Sequence, residues 1–290
     1  MYKLHPLFVL MMAISVFAGY YIEMLVLFGI VIIHELGHAT AAWLFGWKVA
    51  EIELLPFGGV ALIEESDTAT AWQEIVVALA GPLQNVGMIG ASLLLTAIGV
   101  WDESWSYYFI KANMTIALFN LFPILPLDGG RILQALLSKY YSYFHTLLVC
   151  GWFSLATSVV IAVSCFLPLS NRGFQFNLLA IAGFLLFSNG YAVKDVYYRF
   201  IRFLMQREKR TAGMLRKGGY PQPVVVSADY RATEVAKLFK RERYHLIYVM
   251  DGKGHVKRIV PEERLLTDMF ADAQYVLKYK EMSGTAGVER

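Results

Sequence analysis

Six stretches of this chain are long, apolar and almost free of charged side chains. They cover residues 6–22, 24–45, 75–100, 107–122, 145–168 and 174–193. About 20 apolar residues cross the hydrocarbon core of a bilayer as a helix, which satisfies its own backbone hydrogen bonds. The sequence therefore predicts a polytopic α-helical membrane protein with about six transmembrane helices. We interpret the first stretch as a span and not as a signal peptide, because its uncharged run is long and lacks a convincing cleavage site.

Charge divides the chain into two parts. Residues 1–193 contain 6 basic and 11 acidic side chains, whereas residues 194–290 contain 20 and 12. The mean hydropathy of +0.48 is too high for an ordinary soluble domain, and the composition excludes a disordered, collagen-like or disulfide-stapled chain. We predict a membrane-embedded domain over 1–193, a basic linker over 194–217 and a small soluble α/β domain over 218–290.

Basic residues crowd the exit of the last predicted span. Because positive charge is retained on the cytoplasmic side, this cluster places the C-terminal region in the cytoplasm. An even number of spans then places the N-terminus there too. The cluster comprises Lys194, Arg199, Arg202, Arg207, Lys209, Arg210, Arg216 and Lys217. The linker that carries it predicts either an amphipathic helix on the anionic inner leaflet or an ordinary solvated helix.

Residues 49–65, between the second and third spans, have acidic ends and an apolar middle around Pro56-Phe57-Gly58-Gly59. The pattern predicts a β-hairpin. Its apolar tip is directed either toward the membrane or onto apolar protein, and the pattern does not choose between these.

The second span contains His34-Glu35-Leu36-Gly37-His38. Residues four apart on a helix differ by about 40° in direction, so both imidazoles project from one face with Glu35 beside them. Ionisable groups inside a span are costly and are usually functional. The motif predicts a zinc site with an adjacent general base, and a purely structural histidine pair is the weaker alternative.

Zinc held by two histidines needs a third protein ligand and an open position for water. Asp128 is the candidate, because it follows the stretch 120–127, where two prolines interrupt the helix at the end of the fourth span. Irregular backbone at membrane depth is tolerated where it lines a cavity. The alternative is an ordinary loop carboxylate at the membrane surface.

Other polar groups give weaker signals. Gly81-Pro82-Leu83-Gln84-Asn85, inside the third span, predicts either a kink with a polar lining or a packing notch, and we favour the notch. The remaining histidines lack the spacing of metal ligands, and we interpret them as surface or interface residues. They are His5, His145, His245 and His255.

The four motifs of residues 1–193, in this order, resemble the site-2 intramembrane metalloproteases. They are the His-Glu-x-x-His span, the Pro-Phe-Gly-Gly hairpin, the Gly-Pro-x-x-Asn element and the Asn-x-x-Pro-x-x-Pro-Leu-Asp-Gly-Gly loop. The resemblance implies a zinc endopeptidase that cleaves at or within the membrane. It implies zinc ligands at His34, His38 and Asp128, general base and acid at Glu35, and substrate contacts at Asn120 and Pro126. We expect further substrate contacts at the hairpin tip, Phe57 and Gly58.

From Pro221 onward the pattern becomes β-α-β-β-α. We predict strands over 222–227, 244–250 and 255–260, a helix over 231–243, and a final helix that opens at Pro261. This order resembles a single cystathionine-β-synthase (CBS) module. Such modules pair, so the resemblance implies a homo-oligomer. It also implies ATP binding, but Pro261 and Arg264 stand where the nucleotide-binding residues of the family are expected.

One CBS module and no inserted PDZ domain resemble the sporulation branch of the same protease family. That resemblance implies the pro-sequence of sigma factor K as substrate, two inhibitory membrane partners, stage IV protein FA and BofA, and a location in the membrane around the forespore. Two rival hypotheses remain at this level. One is a non-enzymatic membrane sensor or transporter regulated by the CBS-like module, and the other is a zinc membrane hydrolase with a different substrate.

Overall fold

The computed structural model describes residues 2–4, 19–55, 58–64, 69–166, 176–207, 210, 211, 213, 214, 218 and 220–271. The chain forms two compact units. The first comprises Met1–Leu137 and Leu148–Lys194, and the second comprises Ser138–Leu147 and Asp195–Arg290. The units therefore alternate along the chain, and the predicted linker belongs to the second unit.

The first unit is mainly helical. Its helices are α1 (Tyr21–Leu44), α2 (Ala71–Ala97), α3 (Glu103–Asn120), the start of α4 (Asp128–Tyr140), most of α5 (Tyr143–Ser164) and α6 (Phe176–Lys194). Helix α1 packs against α2, and α2 packs against α3. A capping box of Thr70 and Gln73 begins α2, and the Asp102 side chain caps α3.

Of the described helices, three are long and apolar enough to cross a membrane, namely α1, α2 and α5. Two further predicted spans coincide with α3, which is less apolar than these three, and with α6, whose apolar part, Leu178–Lys194, is shorter. The first predicted span overlaps α1, because α1 begins at Tyr21 and not at residue 24, and residues 6–18 lie outside the described part. Many apolar side chains on these helices are exposed, including Leu94 and Val160, as expected where lipid is the solvent.

The predicted hairpin is present. Strands β2 (Lys48–Leu55) and β3 (Gly58–Glu64) pair antiparallel, with Leu55 opposite Gly58, and β1 (Tyr2–Leu4) adds to β2 in parallel. The turn residues 56 and 57 lie outside the described part of the chain. Strand β3 is an edge of this sheet, and it packs against α1.

The second unit contains the expected β-α-β-β-α order. Strand β4 (Gln222–Ser227) pairs in parallel with β5 (His245–Met250), which pairs antiparallel with β6 (Val256–Pro261), and a helix covers 262–271. Alternate residues of β5 are buried, as a half-buried strand requires. The helix between β4 and β5 is shorter than predicted, since α8 covers only Ala232–Ala236.

A fully buried ion pair holds the segment that follows this helix. Arg207 forms a two-pronged salt bridge with Glu262, with both nitrogen–oxygen distances at 3.0 Å. The same guanidinium donates to the carbonyls of Lys240, Arg241 and Arg243. These carbonyls accept from Arg207, so the backbone of residues 240–243 wraps around the guanidinium where the sequence predicted helix.

Two more side chains complete this cluster. The Thr211 hydroxyl donates to Glu262 at 2.7 Å, and Nδ1 of His245 lies 3.0 Å from the same carboxylate. His245 and Glu262 are fully buried, as is Arg207. The interpretation of His245 as a surface or interface residue is therefore wrong, because its ring closes a buried charge network.

The linker prediction also needs correction. Helix α7 (Val196–Met205) has an apolar face, but that face is covered by protein. Phe200 lies against Phe144 with ring centroids 5.0 Å apart, and Phe203 lies 4.4 Å from the ring of Tyr143. Arg207, one of the basic residues expected on a leaflet-bound or a solvated helix, is instead fully buried against its partners.

Candidate metal centre

The His-Glu-x-x-His motif lies on the buried face of α1, as its spacing predicts. His34, Glu35 and His38 are 2%, 8% and 7% exposed. The Nε2 atoms of the two histidines lie 3.2 Å apart, and the rings meet edge to face. Both imidazoles therefore point to one place in the interior of the first unit.

Asp128 reaches the same place from the first turn of α4. Its Oδ2 lies 3.2 Å from Nε2 of His34 and 3.2 Å from Nε2 of His38. The backbone before it is irregular and includes a cis peptide bond at Leu125-Pro126. The aspartate thus directly follows broken backbone and lies beside the histidines, and it is not a surface carboxylate.

Two glycines allow this approach. A Cβ atom at Gly129 would overlap the carbonyl group of Leu121, and one at Gly130 would overlap the backbone of Ile124. The start of α4 therefore packs directly on the irregular segment. The amide of Leu125 donates to the Ser154 hydroxyl at 2.9 Å, which ties this segment to α5.

The donor chemistry of the cluster fits a cation. Nδ1 of His38 lies 2.7 Å from the carbonyl oxygen of Val77, which only accepts, so the ring proton is on Nδ1 and Nε2 presents a lone pair. Oδ2 of Asp128 is buried without a hydrogen-bond donor among the described residues. The three ligand atoms of His34, His38 and Asp128 lie within 4.8 Å of one another. Lone pairs that converge in a buried space match a zinc ligand set of nitrogen and oxygen.

Glu35 lies outside this group of donor atoms. It is buried beside the histidines but does not belong to the metal-holding group found among the described residues. Glu35 is therefore not one of the converging donors.

Helix α2 supplies contacts that the sequence analysis missed. Val77, Gly81 and Asn85 recur every four residues, so they share one stripe of this helix. A Cβ atom at Gly81 would overlap Nε2 of His38 and would meet Cε1 of His34 at 2.8 Å. Asn85 is fully buried, and its Oδ1 lies 2.6 Å from Nδ1 of His34. Gly81 is therefore a close-packing position and the Asn85 amide is satisfied by neighbours, as the favoured packing notch has it, but the sequence analysis did not place this stripe against the histidines.

The residues expected to contact substrate are more dispersed. Asn120 ends α3 and is half-buried, and Pro126 is exposed two residues before Asp128. Gly58 begins β3, whereas Phe57 lies outside the described part of the chain.

The fold and the site together define a membrane-embedded metal-dependent hydrolase. A family model, Peptidase family M50, matches residues 22–102 and 94–162. The chain is 31% identical over 276 residues to stage IV sporulation protein FB of Bacillus subtilis (strain 168), which covers 92% of this chain and 91% of that protein. The chain therefore belongs to peptidase family M50, the site-2 proteases, and it is a zinc metalloprotease.

Two further comparisons agree with this assignment. The chain is 39% identical over 126 residues to zinc metalloprotease MJ0392 of Methanocaldococcus jannaschii, covering 42% of this chain and 36% of that protein. The solved structure of the site-2 protease from Methanocaldococcus jannaschii is similar with a TM-score of 0.54 and 26% identity, covering 66% of this chain and 90% of that chain. The hypothesis of a non-enzymatic sensor or transporter is set aside on these grounds.

Proposed function

We propose that this protein is an intramembrane-cleaving zinc endopeptidase in which His34, His38 and Asp128 bind the metal. The observation that carries this proposal is the convergence of three buried ligand atoms, two of them on α1, a helix long and apolar enough to cross a membrane. Zinc held there supplies Lewis-acid chemistry, because it polarises a peptide carbonyl and lowers the pKa of water to about 7. Burial among apolar helices excludes bulk water and strengthens every electrostatic interaction at the site.

Glu35 is the proposed general base and acid. It follows His34 on α1, so the helix that holds two metal ligands also fixes the carboxylate beside them. A carboxylate in this position accepts a proton from the attacking water and then donates it to the leaving amine. The backbone carbonyl of Val77 holds the His38 ring in the orientation that this chemistry requires.

We propose that the substrate is held in an extended form near Asn120, Pro126 and the hairpin that contains Phe57 and Gly58. The loop 120–128 offers few free donors for strand addition, because the amides of Ile124, Leu125 and Leu127 donate to groups within the chain. Strand β3 is an edge of its sheet and packs on α1. Its backbone is the better candidate to pair with an extended peptide, with Asn120 and Pro126 contacting the peptide nearer the metal.

The proposed substrate is the pro-sequence of a sporulation sigma factor, sigma factor K, with stage IV protein FA and BofA as inhibitory membrane partners. Support comes from the identity of 31% across nearly the whole length of stage IV sporulation protein FB. The corresponding location is the membrane around the forespore.

We further propose six spans with both termini in the cytoplasm. The supporting observations are five helices at or near the predicted positions and the excess of basic residues after Lys194. A cysteine introduced at position 217 or 280 is expected to resist labelling by a membrane-impermeant reagent in intact cells and to react after lysis. Strong labelling from outside would contradict this topology.

The second unit is proposed to be a CBS-like module that pairs two chains. The β-α-β-β-α order supports this proposal. Nucleotide binding does not form part of it. The carboxylate at the start of the last helix, Glu262, is committed to Arg207, and Pro261 ends β6.

Cleavage of a candidate pro-sequence by the purified full-length protein tests the proposed function. Removing zinc with a chelator is expected to abolish cleavage, and adding zinc back is expected to restore it, because the three ligands are deprotonated donors that rebind the ion. Mass spectrometry of the products locates the cut. Cleavage that persists after verified removal of the metal would contradict the proposal.

A further inference from the structure

The two histidines of the metal centre are oriented by different means. Nδ1 of His38 meets a backbone carbonyl directly, and that carbonyl belongs to Val77 on α2. Nδ1 of His34 instead meets a side-chain amide, that of Asn85, at 2.6 Å. An amide side chain presents either its oxygen or its nitrogen, so something else must decide which atom faces the histidine.

Asn113 on α3 fixes the orientation of the Asn85 amide. Its Nδ2 donates to the carbonyl oxygen of Phe109 at 2.9 Å, and a backbone carbonyl only accepts. The Oδ1 of Asn113 therefore faces Asn85 and accepts from Nδ2 of Asn85 at 3.1 Å. The remaining oxygen of Asn85 then faces His34, which must carry its proton on Nδ1.

These hydrogen bonds form a relay from the Phe109 carbonyl through Asn113 and Asn85 to His34. Its two amide side chains are fully buried. Asn85 and Asn113 are both 0% exposed, so neither side chain can exchange its partner for bulk water. Rotating either amide by half a turn would place oxygen against oxygen or nitrogen against nitrogen. An unsatisfied buried polar group costs about 1–3 kcal/mol. The Phe109 carbonyl therefore sets the direction of every hydrogen bond in the relay.

We propose that Asn85 and Asn113 are positioning residues, and that their relay fixes the tautomer of His34 so that its Nε2 lone pair faces the metal. Partners of this kind hold a ligand ring in orientation, and their loss weakens metal binding. The relay extends the metal centre from α1 through α2 to α3. It rests on the proposed role of His34 as a zinc ligand.

Zinc affinity of the full-length protein, measured by competition with a chromophoric chelator, tests this inference. Asn85→Leu is expected to weaken zinc binding by about 10- to 100-fold. Asn113→Leu is expected to give a smaller loss of the same sign, because Asn85 remains but is free to turn. Asn85→Asp keeps an acceptor for Nδ1 of His34 and is expected to bind zinc within a few-fold of the parent, even if the buried charge lowers its thermal stability.

The matched control is Ser92→Ala. Ser92 on α2 and Ser106 on α3 also form a buried hydrogen bond, at 2.9 Å, between the same two helices. Its loss is expected to leave zinc affinity unchanged. The visible spectrum of the cobalt-substituted protein gives a second readout, which is expected to change in Asn85→Leu and not in Ser92→Ala.

The outcomes separate this inference from the proposed function. If His34→Ala weakens zinc binding but Asn85→Leu does not, the relay is overturned and the metal site stands. If Ser92→Ala weakens zinc binding as much as Asn85→Leu, the effect is general helix packing and the relay is overturned. If His34→Ala itself leaves zinc affinity unchanged, the proposed ligand set fails.

Discussion

Glu35→Gln is expected to keep its zinc and to lose about 10²- to 10⁴-fold in the rate of cleavage. Glutamine matches glutamate in size and occupies the same buried position on α1, but it does not accept a proton from water. Because Glu35 lies outside the group of converging ligand atoms, the substitution removes no proposed metal donor. Metal content of the purified variant, measured beside a cleavage assay, checks both parts of this expectation.

Variants at the ligands give the opposite signature. His38→Ala and Asp128→Asn are expected to lose zinc and activity together. Gly81→Ala should do the same without replacing a ligand, because its Cβ would overlap Nε2 of His38. Gly87→Ala on the same helix meets open space and serves as the control. Loss of zinc from Glu35→Gln, or cleavage near the parental rate, would refute the division of roles.

Glu262→Gln is expected to destabilise the second unit by about 3–5 kcal/mol. The carboxylate neutralises Arg207, which is fully buried and has no access to water. Removing its charge leaves the guanidinium with its carbonyl partners but without a counter-ion. Hydrogen exchange of residues 196–271 in the full-length protein measures the loss as faster exchange of amides that open together.

Glu234→Gln is the matched control for this substitution. Glu234 pairs with Lys237 at 2.8 Å in an exposed i,i+3 bridge, which contributes little because water screens it. Its exchange profile is expected to equal that of the parent. Equal profiles for Glu262→Gln and the parent would show that the buried pair does not hold this unit together.

The same cluster predicts a loss of stability at low pH. Burial alone would raise the pKa of Glu262, but the hydrogen bond from His245 and the charge of Arg207 outweigh it and lower the pKa to about 2. Burial lowers the pKa of His245, whose Nε2 accepts from the amide of Lys240. Both groups bind protons more readily in the unfolded chain, so stability is present at neutral pH. Stability falls below about pH 6.5, where the unfolded chain binds a proton at His245 more readily than the folded chain, and falls further below about pH 4.5 for the same reason at Glu262.

Local periodicity predicted the parts of the site that one element supplies. The spacing of His34 and His38 needs only helix geometry, and the two prolines before Asp128 predict the broken backbone that brings this carboxylate inward. The β-hairpin followed from the same kind of local pattern. These predictions succeed because the distances they need are set within a few residues.

The contacts that sequence reasoning missed all join distant segments. Asn85 and Asn113 are 28 residues apart and meet only because α2 packs on α3. Arg207 and Glu262 are 55 residues apart, so no local pattern predicts that they meet. The available signals for Asn85 were a polar side chain inside an uncharged span and its place in the Gly-Pro-x-x-Asn element, whereas nothing local distinguishes Arg207 from the other basic residues near it.

The alternating course of the chain through its two units changes how a truncation should be read. The segment Ser138–Leu147 belongs to the same unit as Asp195–Arg290, and its aromatic rings pack on α7. A chain that stops at residue 217 would keep those rings and Arg207 but lose Glu262. The guanidinium would then have no counter-ion, and the core of the second unit would be incomplete. Loss of cleavage activity after such a truncation would therefore reflect misfolding of the second unit and not the loss of a regulatory domain. Chimeras between relatives should therefore join at Lys194 and exchange residues 138–147 together with residues 195–290.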